Sequence, residues 1–232
     1  MIGPDTYEVP DAPAAIPAAT VVIIRDGTDG LETLMVHKAK NLRSFAGAWV
    51  FPGGRVDAAD RAETATDLDA SRRAAVREAR EEADLVLDET SLVPFAHWEP
   101  PPYEERRFST WFFLAPGDTA DVTVDGGEIH DHAWMRPADA LARRDTGEID
   151  LVPPTFVSLW NLVRHDSVVS AFAWVRDRDP EHFVTHIGRD ASGRVAALWA
   201  GDAGYDTRDA DLPGPRHRLW LDGHWVYDRT VP

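Results

Sequence analysis

The amino-acid sequence predicts a mixed α/β fold, and three features of the chain indicate it. The first is a β-hairpin near the N-terminus, in which TVVII and LETLMVH flank the turn residues DGTDG. The second is a glycine turn, FPGGR, followed by SRRAAVREAREEA, a segment of good helix formers without glycine or proline. The third is a C-terminal stretch rich in aromatic, strand-like segments. Strands and helices do not alternate strictly, so we expect a mixed sheet.

Composition excludes several classes of protein. The chain has 232 residues, 44% of them hydrophobic, which is enough for one large core. It has no cysteine, which excludes disulfides, thiolate metal sites and thiol catalysis. The net charge of −16 disfavours stable binding of nucleic acid and calls for a local cation wherever a polyphosphate binds.

The sequence predicts neither a membrane helix nor a secretory signal. No stretch reaches the roughly 20 apolar residues of a membrane helix. The N-terminus lacks the basic and apolar regions of a secretory signal. We therefore expect a cytoplasmic protein that does not bind membranes.

Domain organisation is predicted from the distribution of proline. Residues 1–18 form a Pro/Ala-rich arm, with four prolines among the first seventeen residues. Residues 19–232 form a single domain whose β-rich extension begins at about residue 182. The arm and the aromatic C-terminal strands suggest a homodimer.

The elements follow in order from β-branched or aromatic runs and from helix-forming runs. We predict strands over Ala19–Arg25, Leu31–His37, Trp49–Phe51, Leu85–Leu87, Leu92–Trp98, Phe108–Leu114 and His132–Met135. We predict helices over Ala70–Ala83, Pro137–Arg143 and Pro153–Arg164. The expected N-cap of the first helix is Asp69 or Ser71. The segments HFVTHI, RVAALWA and RLWLDGHWVYD are expected to form C-terminal strands, with a hairpin turn at Asp222-Gly223.

The first predicted helix carries a cluster of carboxylates. At about 100° per residue, Glu78, Glu81 and Glu82 share an arc of roughly 100°, whereas Ala79 and Ala83 lie on the opposite face. Three neighbouring like charges repel one another. Two interpretations remain open from these residues alone: a solvated acidic face tempered by arginines, or oxygen ligands for Mg²⁺ or Mn²⁺.

A resemblance to a known family bears on this choice. FPGGRVDAAD followed by REAREEADL resembles an interrupted Nudix box, G-x5-E-x7-R-E-U-x-E-E-x-G-U, where U is a bulky aliphatic residue. The match is carried by Gly54, Asp60, Arg77, Glu78, Glu81 and Glu82. The sequence departs from the pattern in three ways: sixteen residues instead of seven separate Asp60 from Arg77, Ala79 replaces the bulky aliphatic residue, and Asp84 replaces the glycine.

The resemblance extends over roughly residues 19–227. The lengthened box is similar to that of the mammalian peroxisomal coenzyme A diphosphatase and its bacterial relatives, as are GAWVFPGGRVD, RRAAVREAREEA, HDHAWMRPADAL and PGPRHRLWLDG. It implies a Nudix-type α/β/α sandwich with a mixed sheet and additional C-terminal strands. The implied reaction is Mg²⁺- or Mn²⁺-dependent hydrolysis of a diphosphate linkage in a nucleoside diphosphate derivative, which is coenzyme A-like or a dinucleotide.

The resemblance also implies roles for individual residues. The expected metal ligands are Gly53 through its carbonyl, Glu78, Glu81, Glu82 and Asp60. Glu63 is the alternative to Asp60. Glu78 also helps to activate water, and Arg77 orients the glutamates. Our candidate for a general base outside the box is Glu128, with Asp131 as the alternative. The competing hypothesis is a catalytically silent Nudix module that binds a nucleotide-like ligand for regulation.

Overall fold

The computed structural model describes residues 14–40, 45–62, 64–103, 106–117, 122–124 and 127–230. Its strands are β1 (Ile16–Gly27), β2 (Gly30–Lys38), β3 (Trp49–Val50), β4 (Gly53–Arg55), β5 (Val93–Glu99), β6 (Phe108–Pro116), β7 (Ile129–Met135), β8 (Glu181–Val184), β9 (His186–Arg189), β10 (Val195–Leu198), β11 (His217–Trp220) and β12 (Val226–Arg229). Its helices are α1 (Ala58–Arg61), α2 (Asp67–Ala83), α3 (Pro137–Asp145), α4 (Pro153–Leu162) and α5 (Val168–Arg176), and a 3-10 turn covers Glu89–Ser91.

The chain divides into two compact units. The described parts of residues 17–97 and 110–181 form the main unit. The described parts of residues 98–109 and 182–232, with the segment that ends at Ile16, form the C-terminal unit.

A sheet organises the main unit. Its strands follow the order β3-β2-β1-β6-β5, and β4 pairs with β1 while β7 pairs with β2. The predicted hairpin is confirmed: β1 and β2 are antiparallel, and Gly27 and Gly30 are paired at the turn. Because side chains alternate along a strand, Leu34 and Lys38 of β2 point to the same face of this sheet.

Helix α2 packs on that face. Its N-cap is Thr66, whose hydroxyl accepts the amide hydrogen of Asp69 at 3.1 Å, so the N-caps predicted from the sequence are wrong by several residues. The helix buries Ala74, Ala75, Ala79 and Ala83 against sheet residues that include Leu34 and Phe113. Small side chains let the helix axis approach the sheet closely, which explains why Ala79 fits at a position where the Nudix pattern has a larger residue.

The end of α2 depends on Asp84. This residue adopts the left-handed conformation (φ 54°, ψ 30°), and its amide donates to the carbonyls of Ala79 and Arg80. Asp tolerates this conformation better than most residues other than glycine. Asp84 therefore ends the helix in place of the glycine of the Nudix pattern.

The opposite face of the sheet is covered by a helix as well. Phe113 packs on the α2 side, so its neighbour Phe112 points to the other face. There Phe112 contacts Phe95 edge to face at 6.2 Å, and Phe95 contacts Trp174 of α5 at the same centroid distance. Helices therefore lie on both faces of the sheet in the main unit.

The C-terminal unit contains a separate four-stranded antiparallel sheet with the order β12-β11-β10-β9. The predicted turn at Asp222-Gly223 lies between β11 and β12, and Gly223 takes a positive φ of 56°. Under this sheet, Arg218 donates two hydrogen bonds to Asp202, at 2.7 Å and 2.6 Å. Both side chains are almost fully excluded from solvent.

Several predicted elements are corrected by the structure. Leu85–Leu87 does not form a strand, since Leu85 instead packs against α2 as part of the core. HFVTHI forms two strands, β8 and β9, that are separated at Thr185. Helices α1 and α5 were not predicted. Strand β1 begins at Ile16, before the boundary placed at Ala19, and most of the predicted arm lies outside the described residues. Among the described residues, no helix is both long and apolar enough to cross a membrane.

Candidate active site

The glycine turn places strand β4 directly against helix α2. Gly53 and Gly54 pair with Thr20 and Ala19 of β1. A β-carbon at Gly53 would overlap the carbonyl oxygen of Ala19, and one at Gly54 would overlap the carboxylate of Glu78. Gly53 therefore requires glycine for close approach of the backbone to β1, whereas a side chain at Gly54 would displace the carboxylate of Glu78.

Glu82 is the most deeply buried of the three helix acids, with 5% of its surface exposed. One carboxylate oxygen accepts a hydrogen bond from Lys38 Nζ at 2.5 Å, and the other accepts the amide hydrogen of Gly53 at 3.0 Å. Burial raises the pKa of Glu82 above its usual value, although Lys38 and the Gly53 amide oppose this shift. The acid is thus fixed between the end of β2 and the start of β4.

Arg77 connects the other acids of the site. Its guanidinium donates to Asp60 at 2.9 Å and 3.2 Å, to Glu78 at 2.8 Å and to Glu81 at 2.9 Å. It also donates to the carbonyl of Arg55 in β4 at 2.9 Å. The hydrogen bond to Asp60 is the main reason why the pKa of Arg77 lies above its usual range. One planar cation therefore holds three carboxylates and a strand carbonyl in fixed relative positions.

Asp60 lies on α1 and directly precedes the lengthened segment of the Nudix box, which separates it from Arg77. It is 5% exposed, and it accepts the amide hydrogen of Asp57 at 2.9 Å in addition to the bonds from Arg77. Burial raises the pKa of Asp60, but hydrogen bonds from Arg77 and Asp57 outweigh burial, so the pKa lies below its usual value. The insertion has not displaced Asp60 from Arg77. Glu63, the alternative, lies outside the described residues.

Glu78 and Glu81 differ in exposure although they lie one turn apart. The side chain of Glu78 is 14% exposed, whereas that of Glu81 is 58% exposed. Burial raises the pKa of Glu78 above its usual value, and the hydrogen bond from Arg77 partly offsets this effect. The helix therefore presents a graded series of carboxylates, from Glu82 in the interior to Glu81 at the surface.

Glu128, the candidate base, lies beside this cluster. Its carbonyl oxygen accepts the amide hydrogen of Ala39 at 2.9 Å, which fixes its backbone to the end of β2. Its carboxylate is 3.9 Å from Lys38 Nζ, and its side chain is 66% exposed. Asp131 pairs with His37, so alternation directs its side chain to the opposite face from Lys38.

Lys38 was not singled out from the sequence. It is 8% exposed and contacts the candidate ligand Glu82 while lying near the candidate base. The signal in the sequence is the alternation LETLMVHK, which places Lys38 on the same face as Leu34. A charged residue on the buried face of a strand indicates an ionic partner.

The donor set is consistent with a divalent cation. Within the described ranges, no three Asp, Glu or His side chains are already gathered around a common point. The carboxylates are instead held by Arg77 and Lys38. Four acids, Asp60, Glu78, Glu81 and Glu82, face these two cations. The excess of two negative charges, carried by oxygen donors, suits Mg²⁺ or Mn²⁺.

Comparison with known proteins supports the resemblance at the level of the superfamily. A model of the NUDIX domain matches residues 15–156, more than half of the chain. The solved NUDIX hydrolase of Alicyclobacillus acidocaldarius is 26% identical over 69% of this chain and 96% of its own, with a TM-score of 0.61.

More distant solved structures also match. The NUDIX domain of Shewanella oneidensis NrtR, solved with ADP ribose, is 16% identical over 67% of this chain and 88% of its own, with a TM-score of 0.49. An Ap4A hydrolase of C. elegans, solved as a binary complex, is 21% identical over 69% and 98%, with a TM-score of 0.44.

The match to the NUDIX hydrolase of Alicyclobacillus acidocaldarius confirms the predicted fold, a mixed α/β Nudix fold with an additional C-terminal four-stranded sheet. Members of the family typically use divalent metals. The matched segment includes the whole of the acidic cluster on α2 and the glycine turn of β4. The chain therefore belongs to the NUDIX family and is a Nudix hydrolase, a diphosphatase that acts on nucleoside diphosphate derivatives.

Proposed function

We propose that this hydrolase cleaves the diphosphate linkage of a coenzyme A-like or dinucleotide substrate by attack of water on phosphorus, in the presence of Mg²⁺ or Mn²⁺. The observation that carries the proposal is the placement of Glu78 and Glu82 against the glycine turn, with Glu81 joined to Glu78 through Arg77. The preference for the substrate class is supported by the lengthened box and by the segments similar to the coenzyme A diphosphatase branch.

The proposed ligands of the divalent ion are the carboxylates of Glu78, Glu81 and Glu82 and the carbonyl of Gly53. Asp60 is included among the candidates, although both of its oxygens already accept hydrogen bonds from Arg77. When bound, the ion supplies charge neutralisation at the diphosphate and lowers the pKa of an attacking water. In a chain of net charge −16, a cation at this position also offsets the repulsion of a polyanionic substrate.

The remaining residues have proposed roles that follow from their contacts. Arg77 orients Glu78 and Glu81 through charge-assisted hydrogen bonds. Glu128 acts as the general base, since its exposed carboxylate can reach a water molecule while its backbone is fixed beside the site. Water then adds to phosphorus as its proton passes to Glu128, and the bridging P–O bond breaks to release the second phosphate-bearing product.

The experiment is a panel of nucleoside diphosphate derivatives, including coenzyme A and dinucleoside polyphosphates, assayed for products with and without Mn²⁺. We expect turnover only with the metal. Glu82→Gln should reduce turnover roughly 100-fold or more, because it removes a proposed ligand and leaves Lys38 without its partner. Glu148→Gln is the matched control, since Glu148 pairs with Arg143 on α3, and it should retain activity.

Three results would contradict the proposal. Turnover that does not require a divalent metal would show that the ion has no role in the reaction. Full activity in Glu82→Gln would show that the reaction does not require the acidic cluster. Ligand binding without turnover of any compound in the panel would favour the silent regulatory module.

A further inference from the structure

Lys38 and Lys40 are the two lysines of the chain, and their environments differ sharply. Lys38 is 8% exposed at the end of β2, whereas Lys40 is exposed two residues later. A buried ammonium is costly unless it is paired. The pairing is provided by Glu82, at 2.5 Å.

Glu82 also needs this cation. Its side chain is 6% exposed, and Glu78, another carboxylate, lies on the same helix one turn earlier. Arg77 donates to Glu78, Glu81 and Asp60, and the structure gives it no hydrogen bond to Glu82. Among the described contacts, Lys38 is thus the cation that balances the deepest acid of the site.

A second acceptor for Lys38 lies close by. Glu128 Oε2 is 3.9 Å from Lys38 Nζ, which is beyond hydrogen-bonding distance but within reach of a small side-chain rotation. The backbone of Glu128 is fixed by the bond from Ala39, so the carboxylate can approach Lys38 without movement of the strand. Lys38 therefore lies between a buried and an exposed carboxylate.

We propose that Lys38 is a positioning residue that competes with the divalent ion for Glu82, and that Lys38 would donate its hydrogen bond to Glu128 instead when the ion binds. This inference rests on the divalent-ion site proposed above. A second cation at Glu82 makes the contact with Lys38 redundant, and the repulsion between the two cations favours the rotation toward Glu128. The transfer couples metal binding at α2 to the orientation of the candidate base.

Mn²⁺ binding, followed by the electron paramagnetic resonance signal of free Mn²⁺, tests the proposal without an activity assay. If Lys38 competes with the ion for Glu82, Lys38→Met should bind Mn²⁺ roughly tenfold more tightly than the wild-type protein. Lys40→Met removes the same charge two residues away and should bind Mn²⁺ with nearly wild-type affinity. If Lys38→Met does not fold without metal, Lys38→Gln, which retains a hydrogen-bond donor without charge, serves for the same measurement.

Thermal unfolding tests the transfer to Glu128. In the Mn²⁺-saturated protein, Glu128→Gln should lower the unfolding temperature when Lys38 is present and have little effect in the Lys38→Met background. Without Mn²⁺, the effect of Glu128→Gln should depend much less on whether Lys38 is present. Glu148→Gln, the matched exposed acid, should show no dependence on Mn²⁺.

The outcomes separate this inference from the function proposed above. Equal or weaker Mn²⁺ binding by Lys38→Met, with normal binding by the wild type, would show that Lys38 does not compete with the ion for Glu82. The proposed hydrolytic site would not be contradicted by this result. A Glu128→Gln effect that is the same with and without Mn²⁺ would overturn the transfer. Absence of Mn²⁺ binding by the wild type and by Lys40→Met would overturn both proposals.

Discussion

Arg77 makes four contacts to carboxylates and one to the backbone of β4, and a flat, forked side chain is required to reach all of them. Lysine carries the same charge but offers a single nitrogen. Arg77→Lys should therefore lower kcat roughly 10- to 100-fold, the usual cost of losing a residue that orients ligands. Steady-state kinetics at saturating Mn²⁺ would measure the change.

The control for Arg77→Lys is another arginine on the same helix. Arg73 donates to the carbonyl of Ala62, and its charge helps to lower the pKa of Asp60, an effect that lysine at this position retains. Arg73→Lys should leave kcat close to that of the wild type. An equal loss of kcat in both variants would point to a general effect on α2 rather than to the orientation of the acids.

At the same scale, the spacing of residues predicts some contacts and not others. Helical periodicity places Glu78, Glu81 and Glu82 on one side of α2, since these positions are local in sequence. It does not distinguish their burial, because β4 and the end of β2 decide that Glu82 is covered and Glu81 is exposed. Lys38 was missed for a related reason: its partner is 44 residues away, and the sequence alone does not give such pairings.

At the scale of elements, the lengthened segment between Asp60 and Arg77 leaves these two residues on different helices. Asp60 lies on α1 and Arg77 lies on α2, which begins at Asp67, and the two side chains still form a hydrogen bond. The prediction of Asp60 as a member of the site depended on this contact with Arg77. Its role as a metal ligand stays a prediction.

Other elements show where the patterns in the sequence are ambiguous. Helix α5 consists largely of β-branched and aromatic residues, VVSAFAWVR, which have weak helix propensity, and tertiary packing of Trp174 on Phe95 overrides it. For Leu85–Leu87 the error is the opposite one, since the sequence predicts a strand that the structure does not contain. Its apolar residues resemble a strand, but Leu85 is part of the core against α2, and none of the described strands includes the segment.

The C-terminal sheet depends on the ion pair between Asp202 and Arg218. Burial raises the pKa of Asp202, but hydrogen bonds from Arg218 and from the amides of His217 and Gly204 outweigh it, so the pKa lies below its usual value. A carboxyl group whose pKa is lowered in the folded state contributes stability above the unfolded pKa of about 3.9, and this stability is lost as the pH falls through the folded pKa.

Asp202→Asn should therefore lower the free energy of unfolding by about 3 kcal/mol at neutral pH, because Arg218 is left as a buried charge without its partner. The difference from the wild type should become smaller as the pH falls below about 4. Urea unfolding, followed by tryptophan fluorescence at several pH values, would measure both effects. Asp228→Asn, which removes a more exposed partner of Arg216 at 4.0 Å, should have a small effect. A pH-independent difference for Asp202→Asn would contradict this account.

At the scale of the whole molecule, the net negative charge of the protein repels an anionic substrate. The chain carries 40 acidic and 24 basic residues, and a diphosphate compound is itself an anion. Among the described residues, Arg77 and Lys38 supply positive charge beside the acids of the site, and the proposed divalent ion would add to it. The field of the protein should therefore slow the approach of substrate, whereas many enzymes with anionic substrates attract them.

Added salt should then increase kcat/KM. Screening weakens the long-range repulsion, since the Debye length falls from about 30 Å at 0.01 M salt to about 8 Å at 0.15 M. We expect kcat/KM to rise about two- to threefold over this range, with kcat nearly constant, provided that Mn²⁺ remains saturating at each salt concentration. The dependence on salt should be weaker for a substrate with fewer negative charges, because the screened repulsion is proportional to charge. A fall in kcat/KM over the same range would show that the local cations, rather than the acidic surface, determine how the substrate approaches.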